Sequence, residues 1–215
     1  AYSICRAGNL ALVVDADQVY GNALNVMRTV QELETAGVCA ASIEDTDLPQ
    51  PFGSVGTPRM LSIEESVGKM KAAIEGRQDP KFVIAGRTSA CTISNVDDCI
   101  ARAKAYEAAG VDMIFLAGVK SHDDIEAVAT EVNIPMIIGG GPAADQDRYA
   151  ELGVRIALQG HKPIMAAVRA VYDTLKALRN GTPHSDIEYF ADADMMKQVT
   201  RGGDYDRWMQ EYLND

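Results

Sequence analysis

Three times along the chain a helical pattern of apolar and polar positions closes on Gly-Val and runs straight into an unbroken apolar stretch. The segments read ELETAGVCAASIED from Glu32, AYEAAGVDMIFLAG from Ala105 and RYAELGVRIALQG from Arg148. Gly37, Gly110 and Gly153 stand where a helix C-terminus takes a left-handed residue. The apolar stretches lack polar alternation, as strands buried on both faces do. LALVVDAD, KFVIAGRT and IPMIIGGG have the same character and bring the count to six strands. Between them lie helices with readable starts. Ser62 precedes Glu65 by three residues, a capping-box spacing, and Asn22 can cap a helix whose Leu24, Met27, Val30 and Leu33 form an apolar stripe.

Strand–helix alternation of this regularity predicts an α/β protein with a parallel sheet. Its repeat length suits a (β/α)8 TIM-type barrel, which typically needs ~250 residues and eight strands. Six strands in 215 residues predict a barrel that lacks its first two. The barrel is expected over residues 1–180. Residues 181–215, where the pattern changes and Trp208 occurs, read as a helical extension packing on the barrel or on a neighbour. A segment of ~35 residues is too small to stand alone.

Composition narrows the partners. With 47% hydrophobic residues and a formal net charge of -11, the chain is an ordinary globular protein with no basic face for nucleic acid. No run approaches ~18 apolar residues, so no membrane span is expected. The N-terminus has no secretory pattern. Cys5, Cys39, Cys91 and Cys99 form no C-x-x-C pair, which points to small apolar fillers in a reduced, cytoplasmic setting.

Chemistry in a parallel barrel collects at the C-terminal ends of strands. Those ends carry Asp15 and Asp17, Glu44 and Asp45, Arg87 with Thr88 and Ser89, and Gln159 with His161. Carboxylates without thiolate and with little imidazole suit Mg2+ or Mn2+, and an arginine opposite suits a substrate carboxylate or phosphate. The bland alternatives are a cap or turn role for Asp45, an ion pair for Arg87 and a helix-capping role for His161. Asp15 resists that account, because it interrupts an apolar strand. His122 and His184 read as solvated.

The run DADQVYGN, with SIEDTDLP after it and GRTSA, AGVDMIFLAGV and LGVRIALQGH beyond, resembles the isocitrate lyase and phosphoenolpyruvate mutase superfamily. That resemblance implies an Mg2+-dependent barrel acting on small 2-oxo or 2-hydroxy acids. It also implies a homodimer or homotetramer that exchanges a C-terminal helix. On the family pattern Asp15 ligates the metal, Asp17 and Glu44 hold metal-bound waters, and Arg87 binds a substrate carboxylate. The loop from Asp47 to Met60 lacks the Lys, Cys and His of the lyase branch and the K-x-N-S element of the phosphonate branch. Its form, with His161 in QGH, is most similar to the oxaloacetate decarboxylase branch. Catalytic roles therefore fall to His161, Arg87 and Glu44, with Arg87 and His161 binding substrate. Cleavage of another C–C or C–P bond and a non-catalytic carboxylate-binding barrel are the alternatives. Val19 stands where the family has glycine, so a left-handed backbone there would be strained.

Overall fold

The computed structural model describes all residues except 51, 54, 55, 57, 141–145, 189 and 215. In chain order it contains α1 (Tyr2–Cys5), β1 (Val13–Asp15), α2 (Ala23–Thr35), β2 (Ala40–Glu44), α3 (Ile63–Gly76), β3 (Val83–Thr88), α4 (Ala90–Ile93), α5 (Val96–Ala109) and β4 (Met113–Ala117). It continues with α6 (His122–Ala129), β5 (Met136–Gly139), α7 (Gln146–Glu151), β6 (Val154–Leu158), α8 (Lys162–Arg179), α9 (Ala193–Val199) and α10 (Gly202–Leu213). The six strands form one sheet in the order β1-β2-β3-β4-β5-β6, each parallel to its neighbour. All six were legible as apolar runs. The six strands match the number read from the sequence; β1 and β6 are the sheet's ends among the described residues, and the eight-stranded barrel from which two were expected to be missing is not itself displayed.

Local chemistry explains the helix boundaries. The Asn22 side chain accepts from Leu24 N at 3.0 Å, while Asn25 Oδ1 accepts from Asn22 N at 3.1 Å. Ser62 Oγ accepts from Glu65 N at 3.1 Å. Gly37, Gly110 and Gly153 all have positive φ, at 87°, 96° and 80°. The apolar stripe expected for α2 holds at Val30, which is buried, and at Leu33, which packs against the core; Val26 is buried as well, and Leu24 faces solvent.

Alternation along the strands separates two apolar layers. Ala41, Ile43, Ile84, Ile114, Leu116 and Met136 pack in the large core with Val26, Met70 and Tyr106 from the helices. On the opposite face Ala85, Phe115 and Ile137 form a smaller cluster with Met113, Ala117 and Ile156. Burial on both faces is why the strands read as continuous apolar runs. Parallel register then fixes the rim, setting Asp15 beside Ser42, Glu44 beside Arg87, and Arg87 beside Phe115.

Two compact units follow from the contacts, Ala1–Gly160 and His161–Asp215. The sequence pattern changes after residue 180, whereas this division falls ahead of α8. Inside the second unit, Asp192 caps α9 by accepting from Met195 N at 2.8 Å, and Lys197 pairs with Asp206 at 2.5 Å. Trp208 meets Tyr205 edge-on at 5.3 Å. Helix α8 leaves Ile164, Met165, Val168, Val171, Tyr172 and Leu175 exposed. Those positions fall on one helical face, at i, i+1, i+4, i+7, i+8 and i+11.

Candidate active site

The turn after β1 is strained. Asp17, Val19 and Tyr20 take φ values of 49°, 63° and 59°, a left-handed region that disfavours side chains. Val19, β-branched and fully buried, is the costliest of the three. Hydrogen bonds across the chain hold the turn. Val19 N donates to the Ala16 carbonyl at 2.9 Å, and Glu44 N donates to the Asp17 carbonyl at 2.8 Å. Gln18 Nε2 donates to the Leu48 carbonyl at 3.0 Å, and buried Lys69 donates through Nζ to the Gln18 carbonyl at 3.1 Å. The turn is thereby tied to the end of β2, to α3 and to the following loop.

Asp15, Glu44 and Arg87 meet at this rim. Arg87 donates through Nη1 to Asp15 Oδ2 and forms an ion pair through Nη2 with Glu44 Oε2 at 3.1 Å. Ser42 Oγ reaches Asp15 Oδ1 at 3.4 Å, and Thr46 Oγ1 donates to Glu44 Oε1. The Asp15 side chain is 54% exposed, against 11% for Glu44 and 18% for Arg87. Burial raises the Glu44 carboxyl above its ordinary value; Arg87 opposes that, and Asp15, Asp45 and Asp17 add to it. The Arg87 guanidinium lies 5.1 Å from the centre of the Phe115 ring, and its Nε is buried without a partner among the described residues. Asp17 is exposed and enters the site through its backbone.

Asp45, next to Glu44, does something else. It is fully buried, and its Oδ2 accepts from Arg102 Nη1 at 3.1 Å and from the Tyr106 hydroxyl at 2.7 Å. Arg102 also donates to the Leu61 carbonyl and, through Nε, to Asp98, both at 3.1 Å. Asp45 is therefore neither a helix cap nor a turn former. It anchors the far end of the loop from Asp47 to Met60, whose base is closed by Asp47 N donating to the Arg59 carbonyl at 2.8 Å. Residues 51, 54, 55 and 57 of that loop lie outside the described residues. Sequence reading missed this network. Its one local signal is the i,i+4 spacing of Asp98, Arg102 and Tyr106 on α5.

His161 opens the second unit as the exposed N-cap residue of α8. His122, expected to be solvated, is half-buried with its ring 5.5 Å from that of Tyr149.

The donor chemistry of Asp15, Asp17 and Glu44 is all carboxylate oxygen, which fits a hard divalent cation. Among the described residues, however, no group of three or more His, Cys, Asp or Glu is gathered to hold a metal ion. The position between Asp15 and Glu44 is taken by the Arg87 guanidinium.

Residues 1–179 match the family profile described as phosphoenolpyruvate phosphomutase. A protein of Bradyrhizobium diazoefficiens named oxaloacetate decarboxylase is 54% identical over 198 residues, spanning 91% of this chain and 68% of its own. One from Rhodopseudomonas palustris, of the same name, is 50% identical over 210 residues, spanning 97% and 72%. A crystal structure of phosphonopyruvate hydrolase in complex with oxalate and Mg2+ aligns with a TM-score of 0.80 at 27% identity, over 99% of this chain and 76% of that one.

Proposed function

The chain belongs to the phosphoenolpyruvate phosphomutase family, and from that premise we propose that it is a carboxy-lyase converting oxaloacetate to pyruvate and carbon dioxide with Mg2+, or Mn2+ in its place. The observation that carries the reading is the meeting of Asp15, Glu44 and Arg87 at one strand-end rim. Relatives at about half identity bear the name oxaloacetate decarboxylase. The C–C and C–P alternatives draw on likeness at 27% identity or below.

When bound, Mg2+ supplies a Lewis acid for the 2-oxo acid end of the substrate, which draws electrons as the distant carboxylate leaves. Asp15 is assigned as the direct metal ligand, with Asp17 and Glu44 holding its waters. Arg87 offers a cationic fork to a substrate carboxylate, a role that its unpartnered Nε supports. His161 is assigned to hydrogen-bond the reacting end of the substrate, a reading that rests on the QGH triplet. A water ordered by Glu44 delivers the proton that converts the enolate to pyruvate.

We also infer an eight-stranded barrel as the parent architecture, supported by the exposure of inner-face Val13 and Leu158 on the two end strands. Residues 181–215 are read as its helical extension. The exposed face of α8 supports a homodimer or homotetramer with an exchanged C-terminal helix. Four free cysteines favour a reducing, cytoplasmic setting. Among the described residues no helix is long and apolar enough to cross a membrane.

The test is pyruvate release from oxaloacetate with Mg2+ and with chelator, corrected for decarboxylation by the metal alone. Asp15→Ala is expected to lose at least about a hundredfold in turnover, and His161→Ala to lose turnover without losing metal. Wild-type protein that releases no pyruvate above the metal background overturns the proposal.

A further inference from the structure

Two of the arginine–carboxylate clusters among the described residues, those of Arg102 and Arg87, differ in character. Arg102 and Asp45 are both buried, and Arg102 has further partners in Asp98 and the Leu61 carbonyl. That cluster is locked, since breaking it strands a buried charge. Arg87 differs. Its partner Asp15 is more than half exposed, its Nε is unpartnered, and one face lies against the Phe115 ring. The Arg87–Asp15 arm, with its carboxylate half in water, is weak and exchangeable, whereas the Arg87–Glu44 arm has both members largely buried and costs more to open.

The acids held by Arg87 are the two that the proposed function gives to a divalent cation and its waters. A guanidinium cannot be neutralised by deprotonation, so its charge stays wherever its fork is placed. A guanidinium seated between Asp15 and Glu44 uses their oxygens and repels a second cation approaching the same space.

We propose that Arg87 is an internal counter-cation competing with the divalent metal for Asp15 and Glu44, so that metal enters as the guanidinium withdraws to an anionic ligand. The proposal rests on the Mg2+-dependent reading of this site. Its consequence is coupling: a carboxylate ligand that takes the Arg87 fork frees the two acids, and metal in turn frees the fork for the carboxylate. Reciprocity requires both effects to have one magnitude. Arg87 then does two things, satisfying the acids without metal and receiving the substrate with it.

The experiment counts free Mn2+ by electron paramagnetic resonance during titration of the full chain, with no substrate present. Arg87→Met is expected to bind Mn2+ about tenfold more tightly than wild type. Arg87→Lys, whose single ammonium cannot span both acids, is expected to fall between them. Adding oxalate is expected to tighten Mn2+ binding more in wild type than in Arg87→Met. The thermal transition of each variant reports folding, and Arg87→Gln serves in place of Arg87→Met should that one fail to fold. Equal or weaker Mn2+ binding by the neutral variant overturns the competition, and the decarboxylase reading stands if wild type still makes pyruvate. Absence of Mn2+ uptake by every protein, wild type included, overturns the metal reading and the competition together.

Discussion

Val19 is fully buried at φ 63°, so two opposing costs meet in one residue. A left-handed backbone costs an L-residue roughly 1–2 kcal/mol, and the buried side chain returns about 0.8 kcal/mol per methylene-sized group. Val19→Ala keeps the backbone cost and loses two carbons. Val19→Gly loses one more carbon and gains unfolded-state entropy, but sheds the strain. The two variants are expected to be equally stable within about 0.5 kcal/mol in urea unfolding. At Val26, buried in α2, alanine is expected to exceed glycine by about 1.5 kcal/mol or more. The same gap at both positions would show that the turn carries no strain. That strain bears on chemistry, because the turn places the Asp17 carbonyl on Glu44 N.

At the scale of elements, α3 and α5 do more than cover the sheet. Helix α5 sends Arg102 and Tyr106 to Asp45, fixing the end of β2 and the return of the loop at Leu61. Arg102→Met leaves Asp45 buried without its cation and is expected to cost about 3–5 kcal/mol in chemical denaturation. A loss below about 1 kcal/mol would mean that Tyr106 alone satisfies the acid. Helix α3 contributes Lys69, whose ammonium is lowered from its ordinary value by burial, with Glu65 and Asp47 pulling it back. In the window between that lowered native value and the unfolded value near 10.5, the unfolded chain binds more protons. Stability due to Lys69 therefore rises with pH through that window. Against Lys69→Met, wild type is expected to gain relative stability as pH rises toward the unfolded value near 10.5. A flat difference would remove the burial penalty from the account.

For the whole molecule, the exposed apolar face of α8 is the dominant feature still to be covered. Six exposed apolar residues on one helical face are what the proposed dimer or tetramer would cover. Light scattering is expected to find a dimer or tetramer, and Val168→Asp with Leu175→Asp is expected to reduce it to monomer. A wild-type monomer at micromolar concentration would exclude the exchanged helix. Charge is consistent with association to a small anion only at a local cationic point, since the net charge is -11 and Arg87 is the rim's cation.

How much of this was legible in the sequence depends on the separation of the groups involved. Strands, caps and helix-ending glycines are set within about four residues by periodicity and turn chemistry, and the sequence alone determined them. The strand-end acids and Arg87 were legible too, because parallel strands that alternate with helices place their C-terminal ends on one rim. Tertiary structure decided what those groups do to one another. Arg87 reaches Asp15 across 72 positions and Asp45 meets Tyr106 across 61, distances set only by strand register and helix docking. The burial of Val26 rather than Leu24 on α2 and the left-handed turn at Val19 were likewise decided by packing. A helix can rotate about its axis and a valine can accept strain when the surrounding contacts outweigh the local cost.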